Sequence, residues 1–265
     1  MVPETPRTLE INVLKSERHA RISTCLLEAG FLGVVEMSKR LGVSEATIRR
    51  DLSELEGRGL LKRTHGGATV AEKASPEAPV MLRVREQSDA KTRIGRAAAE
   101  MVQAGDTIFI GSGTTALEVA RHLAGRQDIT VISNALTVIN LLAAEDGMTV
   151  IGTGGFLRRS ELSFIGHITE HALQELRPQK AFVGIRAISL THGLTNDYIP
   201  EISTDRVIFR SAPEIVLVAD HTKFGKISTA LVAPAVTVQH VVTDSATPRD
   251  MCERLREGGV NVIIC

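Results

Sequence analysis

Residues 34–68 read VVEMSKRLGVSEATIRRDLSELEGRGLLKRTHGGA, and their spacing decides how the N-terminal part folds. Val34, Met37 and Leu41 share one face of a helix predicted over Val34–Leu41. Gly42-Val43-Ser44 breaks that helix in a tight turn, with Ser44 placed to cap the next one. The next helix runs from about Glu45 to Glu56, buries Ile48, Leu52 and Leu55, and is stopped by Gly57 and Gly59. Leu60–Thr64 followed by His65-Gly66-Gly67 predicts a short hairpin with a glycine turn. Upstream, from Glu17, the residues Ile22, Leu26 and Ala29 recur at helical spacing until Gly30. Two helices across a glycine turn are the parts of a helix-turn-helix, and the hairpin stands where a wing would follow.

The second of these helices is the recognition candidate. Its outer face offers Glu45, Thr47, Arg49 and Arg50 beside the capping Ser44, and the N-terminal residues of such a helix reach base edges. Arginine pairs guanine bidentately, while Arg and Thr also hold phosphates. Lys62, Arg63 and His65 on the hairpin are placed to meet flanking backbone or the minor groove. Spacing alone is equally compatible with a small helical bundle carrying a solvated charged face.

Residues 71–90 change character. Two prolines and little periodicity mark 71–79, so 71–90 reads as a linker, continuing as extended chain or a short helix through Asp89, between a DNA-binding part at 17–70 and a larger part at 91–265. From Lys91 short apolar strands alternate with helices. The strands fall at Thr107–Ile110, Ile129–Ile132, Met148–Ile151, Ala181–Ile185, Ile215–Ala219, His240–Thr243 and Val260–Ile264. That grammar predicts a doubly wound, mainly parallel α/β domain, whose ligand crevice lies beyond the carboxyl ends of the strands. Gly111-Ser112-Gly113-Thr114-Thr115 follows the first strand and opens a helix, a setting that suits a phosphate through backbone N–H groups, hydroxyls and the helix dipole. It has neither the Walker ending nor the dinucleotide fingerprint, and a bare glycine turn is the competing reading. Asn134, Gly154, Gly155 and Lys223 end other strands and are candidates for the same crevice, although Lys223 also reads as an exposed loop lysine.

Bulk composition fits a well-cored two-domain protein: 43% hydrophobic, 23% charged, and only 3% aromatic in 265 residues, so Val, Ile, Leu and Ala must fill the core. Formal net charge is zero. Residues 1–70 hold 11 basic and 9 acidic residues, too slight an excess to argue for DNA, which must rest on where the arginines sit. Cys25, Cys252 and Cys265 are few and unspaced, so no disulfide framework, metal site or cofactor is expected. No apolar signal core opens the sequence and no run approaches a membrane span, which makes the cytoplasm the expected location.

The stretches LGVSEATIRRDL and R-x-HGGA within 34–68 resemble the N-terminal signature of the DeoR/GlpR family of bacterial regulators. From about Lys91 to Asp244, the GTT loop, SNAL, GTGG and ADHTKFG resemble that family's effector domain. The resemblance implies DNA contacts from Ser44, Thr47, Arg49, Arg50 and Arg63, with Asp51 orienting an arginine. It implies a sensor domain related in fold to ribose-5-phosphate isomerase, effectors that are phosphorylated sugars or polyols, and no enzymatic activity. The expected function is therefore a transcription regulator, a homo-oligomeric repressor of a carbohydrate catabolic operon that a phosphorylated metabolite releases from operator DNA. Gly111 and Lys180 stand where many relatives carry Asp, and each change removes a negative charge near the expected crevice. The rival is a sugar-phosphate isomerase fused to a DNA-binding head. It needs a poised general base, and Gly184–Ser189 after the fourth strand holds no carboxylate, while Glu201, which reads equally as a pocket carboxylate or a surface-loop residue, forms no evident pair with Asp220.

Overall fold

The computed structural model describes Lys15, Arg18, His19, Arg21, Ile22, Cys25 and Leu26 together with residues 31–57, 61–64, 66–70 and 79–265. The chain divides into two compact units, residues 1–72 and 73–265.

In the first unit the described residues between 15 and 26 are helical. They are followed by β1 (Phe31–Gly33), α1 (Val34–Leu41), α2 (Glu45–Gly57), β2 (Leu61–Thr64) and β3 (Gly67–Val70). Gly42 closes α1 at φ +67°, a left-handed conformation that favours glycine, and its N–H donates to Ser38 O at 3.0 Å. Ser38 Oγ then donates to Val43 O at 2.6 Å, which fixes the angle between the helices. Ile22, Leu26, Leu32, Met37, Ile48, Leu52 and Leu55 pack into one small core. The wing differs from the sequence expectation in one respect. β1 pairs antiparallel with β3, making a three-stranded sheet in the order β1-β3-β2. Three residues, Phe-Leu-Gly, are too few to show a period-two pattern.

The second unit opens with α3 (Val80–Arg83) and α4 (Ser88–Ala99), so the expected linker over 71–90 overlaps folded structure from Pro79 onward. Helix periodicity was not legible in a four-residue turn. Then come β4 (Thr107–Ile110), α5 (Thr114–Leu123), β5 (Thr130–Ser133), α6 (Leu136–Leu142), β6 (Thr149–Gly152), β7 (Phe156–Arg158), β8 (Ser163–Ile165), α7 (His167–Glu175) and β9 (Lys180–Val183). The chain continues through β10 (Ala187–Ser189), β11 (Gly193–Asn196), a 3-10 turn at Ile199–Glu201, α8 (Ile202–Ile208), β12 (Glu214–Val218), β13 (Ala230–Ala233), β14 (His240–Thr243), α9 (Arg249–Glu257) and β15 (Asn261–Ile264).

Seven strands form one wholly parallel sheet in the order β15-β14-β12-β9-β4-β5-β6. These are the seven expected strands, each within a residue or two at its ends. Residues alternate along them between two cores. Ile108, Ile110, Val131, Phe182 and Val216 face Ile94, Val119 and Val138 of α4, α5 and α6. Phe109, Ile132, Ala181, Val183 and Leu217 join Leu173, Ile208 and Leu255 of α7, α8 and α9 on the other side. Helices on both faces explain why these strands are apolar throughout. Gly95 lies where α4 crosses α5: a Cβ there would sit 2.7 Å from Glu118.

Connections after β4 lead outward through β5 and β6, and those after β9 lead the other way through β12, β14 and β15. The order reverses between β4 and β9, which is where an open α/β sheet forms its crevice. The hairpin β7-β8 and the antiparallel sheet β10-β11-β13 are additions to this frame.

Candidate functional site

In the first unit, Ser44 caps α2: its Oγ accepts from the Thr47 N–H at 3.2 Å and lies 2.9 Å from Thr47 Oγ1. Arg49 and Arg50 project from the exposed face, and Arg49 Nη2 donates to Glu45 Oε2 at 2.9 Å, one turn back. Asp51 faces inward and is buried. Its oxygens accept from Arg18 Nε at 2.6 Å and Nη2 at 3.0 Å, and His19 Nε2 lies 3.0 Å away. Burial pushes the Asp51 carboxyl up, but Arg18 and His19 outweigh it and hold it below its ordinary value. Asp51 thus orients an arginine, and that arginine is Arg18 rather than one on its own helix. Arg63 on β2 is exposed, its N–H donating to Glu56 Oε1 at 2.8 Å. The Lys62 side chain and His65 lie outside the described residues. Ser44, Glu45, Thr47, Arg49, Arg50 and Arg63 therefore stand on one helix and the strand after it, held by local ties.

In the second unit a cleft opens where β4 and β9 end. Ser112, Gly113, Thr114 and Thr115 line it, as does Lys223. Gly113 has φ +107° and precedes the first turn of α5, so the loop needs glycine for its backbone conformation. The Gly111 N–H donates to Phe182 O at 2.9 Å, fastening the loop across the switch point. Lys223 is carried by a turn shaped by two carboxylates. Asp220 Oδ1 accepts from the Thr222 N–H at 2.9 Å and from the Thr222 hydroxyl. Asp244 Oδ2 accepts from the His221 N–H at 2.7 Å, and Oδ1 from the Ala246 N–H at 3.0 Å. Burial pushes Asp244 up, yet these N–H groups and the His221 ring keep it below its ordinary value.

Charged residues that the sequence did not assign to the site complete the cleft. Arg83 from α3 donates through Nη2 to both oxygens of Glu161 at 2.6 Å, and both side chains are buried. Arg158 at the end of β7 pairs with Glu201, donates from Nε to Ser160 Oγ at 3.2 Å, and lies over the Tyr198 ring with 4.3 Å to the centroid. Arg186 stands 3.6 Å from Asp197. Glu201 also accepts from Ser163 Oγ at 3.0 Å. Asn196 Nδ2 donates to Asp205, and burial together with the neighbouring Glu201 charge pushes the Asp205 carboxyl up to about 8. Glu201 on the 3-10 turn is the carboxylate that the sequence offered for the pocket, and Asp205 on α8 stands beside it without having been singled out. Asp205 is thus easier to protonate than an ordinary carboxyl, and four cations, Arg83, Arg158, Arg186 and Lys223, line the same cleft.

Three expected residues lie elsewhere. Asn134 is buried, with Nδ2 donating to Phe164 O at 3.0 Å, and so fastens β8. Gly154 O accepts from Thr169 Oγ1 at 2.6 Å, and a Cβ on Gly155 would meet the same hydroxyl at 2.2 Å. β5 and β6 sit to one side of the switch point, so their ends shape the β7–β8 hairpin and α7 instead of lining the cleft. Neither Gly111 nor Lys180 lines the cleft: Gly111 is buried against Phe109 and Phe182 just before Ser112. Lys180 begins β9, at the far end of the sheet, where its Nζ donates to Asp106 Oδ2 at 3.0 Å.

A helix-turn-helix unit and an α/β unit with a charged ligand cleft, joined in one chain, define a DNA-binding transcription regulator with a sensor. The profile of the DeoR-like helix-turn-helix domain matches residues 18–74, and that of the DeoR C terminal sensor domain matches residues 86–245. The chain belongs to the DeoR family of transcription regulators. It is 33% identical to the putative aga operon transcriptional repressor of Escherichia coli, over 94% of this chain and 93% of that one. It is 34% identical to the transcriptional repressor AccR of Agrobacterium fabrum, over 91% and 93%. With the glycerol-3-phosphate regulon repressor of Escherichia coli it shares 31% over 95% and 99%. Superposition on a ribose 5-phosphate isomerase of Methanocaldococcus jannaschii gives a TM-score of 0.40 at 19% identity, over 52% of this chain and 55% of that one, too loose an overlap to carry an argument about chemistry. Family membership makes the chain a regulator rather than an enzyme. No helix among the described residues is long and apolar enough to cross a membrane.

Proposed function

We propose that this regulator represses a carbohydrate catabolic operon and is released from its operator when a phosphorylated sugar or related metabolite binds the cleft between β4 and β9. The observation that carries the reading is the Ser112–Thr115 loop at the N-terminus of α5, facing Arg83, Arg158, Arg186 and Lys223 across the cleft. Backbone N–H groups, hydroxyls, a helix dipole and several cations converge there, which is what a phosphate monoester requires. Similarity to repressors of the aga operon and the glycerol-3-phosphate regulon supports the sign and the effector class.

In this reading Ser44, Glu45, Thr47, Arg49 and Arg50 meet the major groove, while Lys62, Arg63 and His65 meet the flanking backbone. Residues 17–70 form the head, and the sensor, expected over 91–265, also takes in residues 79–90, which carry Arg83. One head makes few contacts, so useful affinity comes from two or more heads in a cytoplasmic homo-oligomer on repeated half-sites. The effector must bind the DNA-free arrangement more tightly than the DNA-bound one.

Fluorescence anisotropy of the full chain on its own upstream DNA, at fixed salt and with a panel of sugar phosphates, tests this directly. Release by one compound supports the reading. Tight binding that no compound changes removes the sensor half of it.

A further inference from the structure

A second cleft abuts the first. It is bordered by five cations, Arg83, Lys91, Arg186, Lys223 and Lys226, and by two carboxylates, Glu86 and Asp220. Arg83, Arg186 and Lys223 border both clefts, so the two are continuous and one elongated ligand can touch both.

Charge is unevenly shared between them. Glu161, Asp197, Glu201 and Asp205 all belong to the first cleft. There Glu161, Glu201 and Asp197 pair with Arg83, Arg158 and Arg186 at close range, and Asp205 accepts from Asn196. Besides the shared Arg83 and Arg186, the second cleft holds three lysines, Lys91, Lys223 and Lys226, against Glu86 and Asp220. One of its two acids, Asp220, already accepts from Thr222 twice. Lys91 is the most telling member. Its side chain is buried and its Nζ donates to Arg83 O at 2.9 Å, with Asp220 and Glu86 near enough to attract it and Lys223 and Arg83 near enough to repel it. Burial pulls its amine below the ordinary lysine value, so an anion nearby would stabilise the charged form. Burying an amine costs free energy that a hydrophobic side chain would not, the nearby Asp220 and Glu86 do not cancel that cost, and a further anionic partner offsets it.

We infer that the second cleft takes a second anionic group of the effector, which makes the ligand class a doubly anionic metabolite: a sugar bearing a phosphate at one end and a phosphate or carboxylate at the other. The inference rests on the first cleft holding the first phosphate. One anion sits on the Ser112–Thr115 loop, sugar hydroxyls lie over Asn196 and Asp205, and the second anion sits among Lys91, Lys223 and Lys226.

Calorimetric titration of the full chain with inorganic phosphate, a hexose monophosphate, the hexose 1,6-bisphosphate and a phosphorylated sugar acid tests it. The bisphosphate or the phosphorylated acid should bind about tenfold more tightly than the monophosphate, as one further charge-assisted contact implies. Which of the two binds tighter identifies the second group. Lys226→Gln, which touches only the second cleft, should abolish that gain and leave the monophosphate unchanged. Glu86→Gln should enlarge the gain, and an increase cannot come from a misfolded variant. Thr114→Val, which touches only the first cleft, should weaken every ligand. Equal affinity for singly and doubly anionic ligands, or a gain that survives Lys226→Gln, overturns the inference and leaves the first cleft standing. Indifference of all ligands to Thr114→Val overturns the first-cleft reading instead. No binding of any of the four overturns both.

Discussion

The two units hold their charged side chains in opposite ways. On α2, Arg49 and Glu45 pair one turn apart with 61% and 42% of their side chains exposed. At the cleft, Arg83 and Glu161 are 78 residues apart in sequence and show only 8% and 7%. An exposed pair contributes at most about 1 kcal/mol, so Arg49 can leave Glu45 for a guanine or a phosphate at almost no cost. A buried pair is different. Its partners have lost water, and parting them requires something else to take their place. The head therefore presents side chains that are easily freed, whereas a ligand entering the cleft as proposed must substitute for its internal ties.

That contrast can be broken at several strengths. The largest effect belongs to Glu161→Ala, which leaves Arg83 buried without its carboxylate. It should lower the stability of the sensor unit by about 3–5 kcal/mol in urea unfolding, while Arg83→Met combined with Glu161→Leu should cost much less. Equal losses in the single and double variants would mean that the pair is not desolvated. Next comes Arg49→Ala, expected to weaken operator binding by about 1–3 kcal/mol and to leave the unfolding midpoint within about 0.5 kcal/mol of the parent. A large stability loss there would place Arg49 in the core of the head rather than on its working face. Ser44→Ala removes the cap of α2 and should cost about 1 kcal/mol of stability in the head, in addition to any loss of DNA affinity.

The smallest effects are those of pH. Asp205, at about 8, lies above the ordinary value of 3.8, so its contribution to stability is full below that ordinary value and is lost as pH rises towards 8. Phosphate-ester affinity should fall over the upper part of that range in the parent, as a new negative charge enters the cleft. It should fall less in Asp205→Asn, measured side by side. Asp51 and Asp244 carry the opposite sign. Both are held below 3.8, so their stability is present above that value and is lost as pH drops through their lower folded values. Acid unfolding monitored by circular dichroism should begin below about pH 4 and shift upward in Asp51→Asn.

The same contrast explains what the sequence made legible. Ile48, Leu52 and Leu55 repeat at helical spacing, and strands such as Thr107–Ile110 are short apolar runs, so both frames follow from local pattern. The Ser112–Thr115 loop was legible because strand, glycines and helix are consecutive. Arg83, Arg158, Glu161, Arg186 and Asp205 were not, because they come from a short helix, a hairpin, a loop and α8 that only the folded sheet gathers around one point. The strand-end rule names every strand, but the crevice belongs to the reversal between β4 and β9. Asn134, Gly154 and Gly155 were therefore credited with a ligand when they hold the hairpin and α7. β7, β8, β10, β11 and β13 are three or four residues long, too short to register as alternation.

The central pairing of the sheet also sets a clock. β4 must wait for β9, since Ile108 pairs with Lys180, whereas the pairings of the head all close between Phe31 and Val70. At about 5–20 residues per second of synthesis, the wait is on the order of several seconds. Over that interval every strand of the head has left the ribosome while the crevice does not exist. A nascent chain thus completes the strands of its head well before the sensor cleft, which waits for β9 and then for Glu201, Asp205 and Lys223 further along the chain.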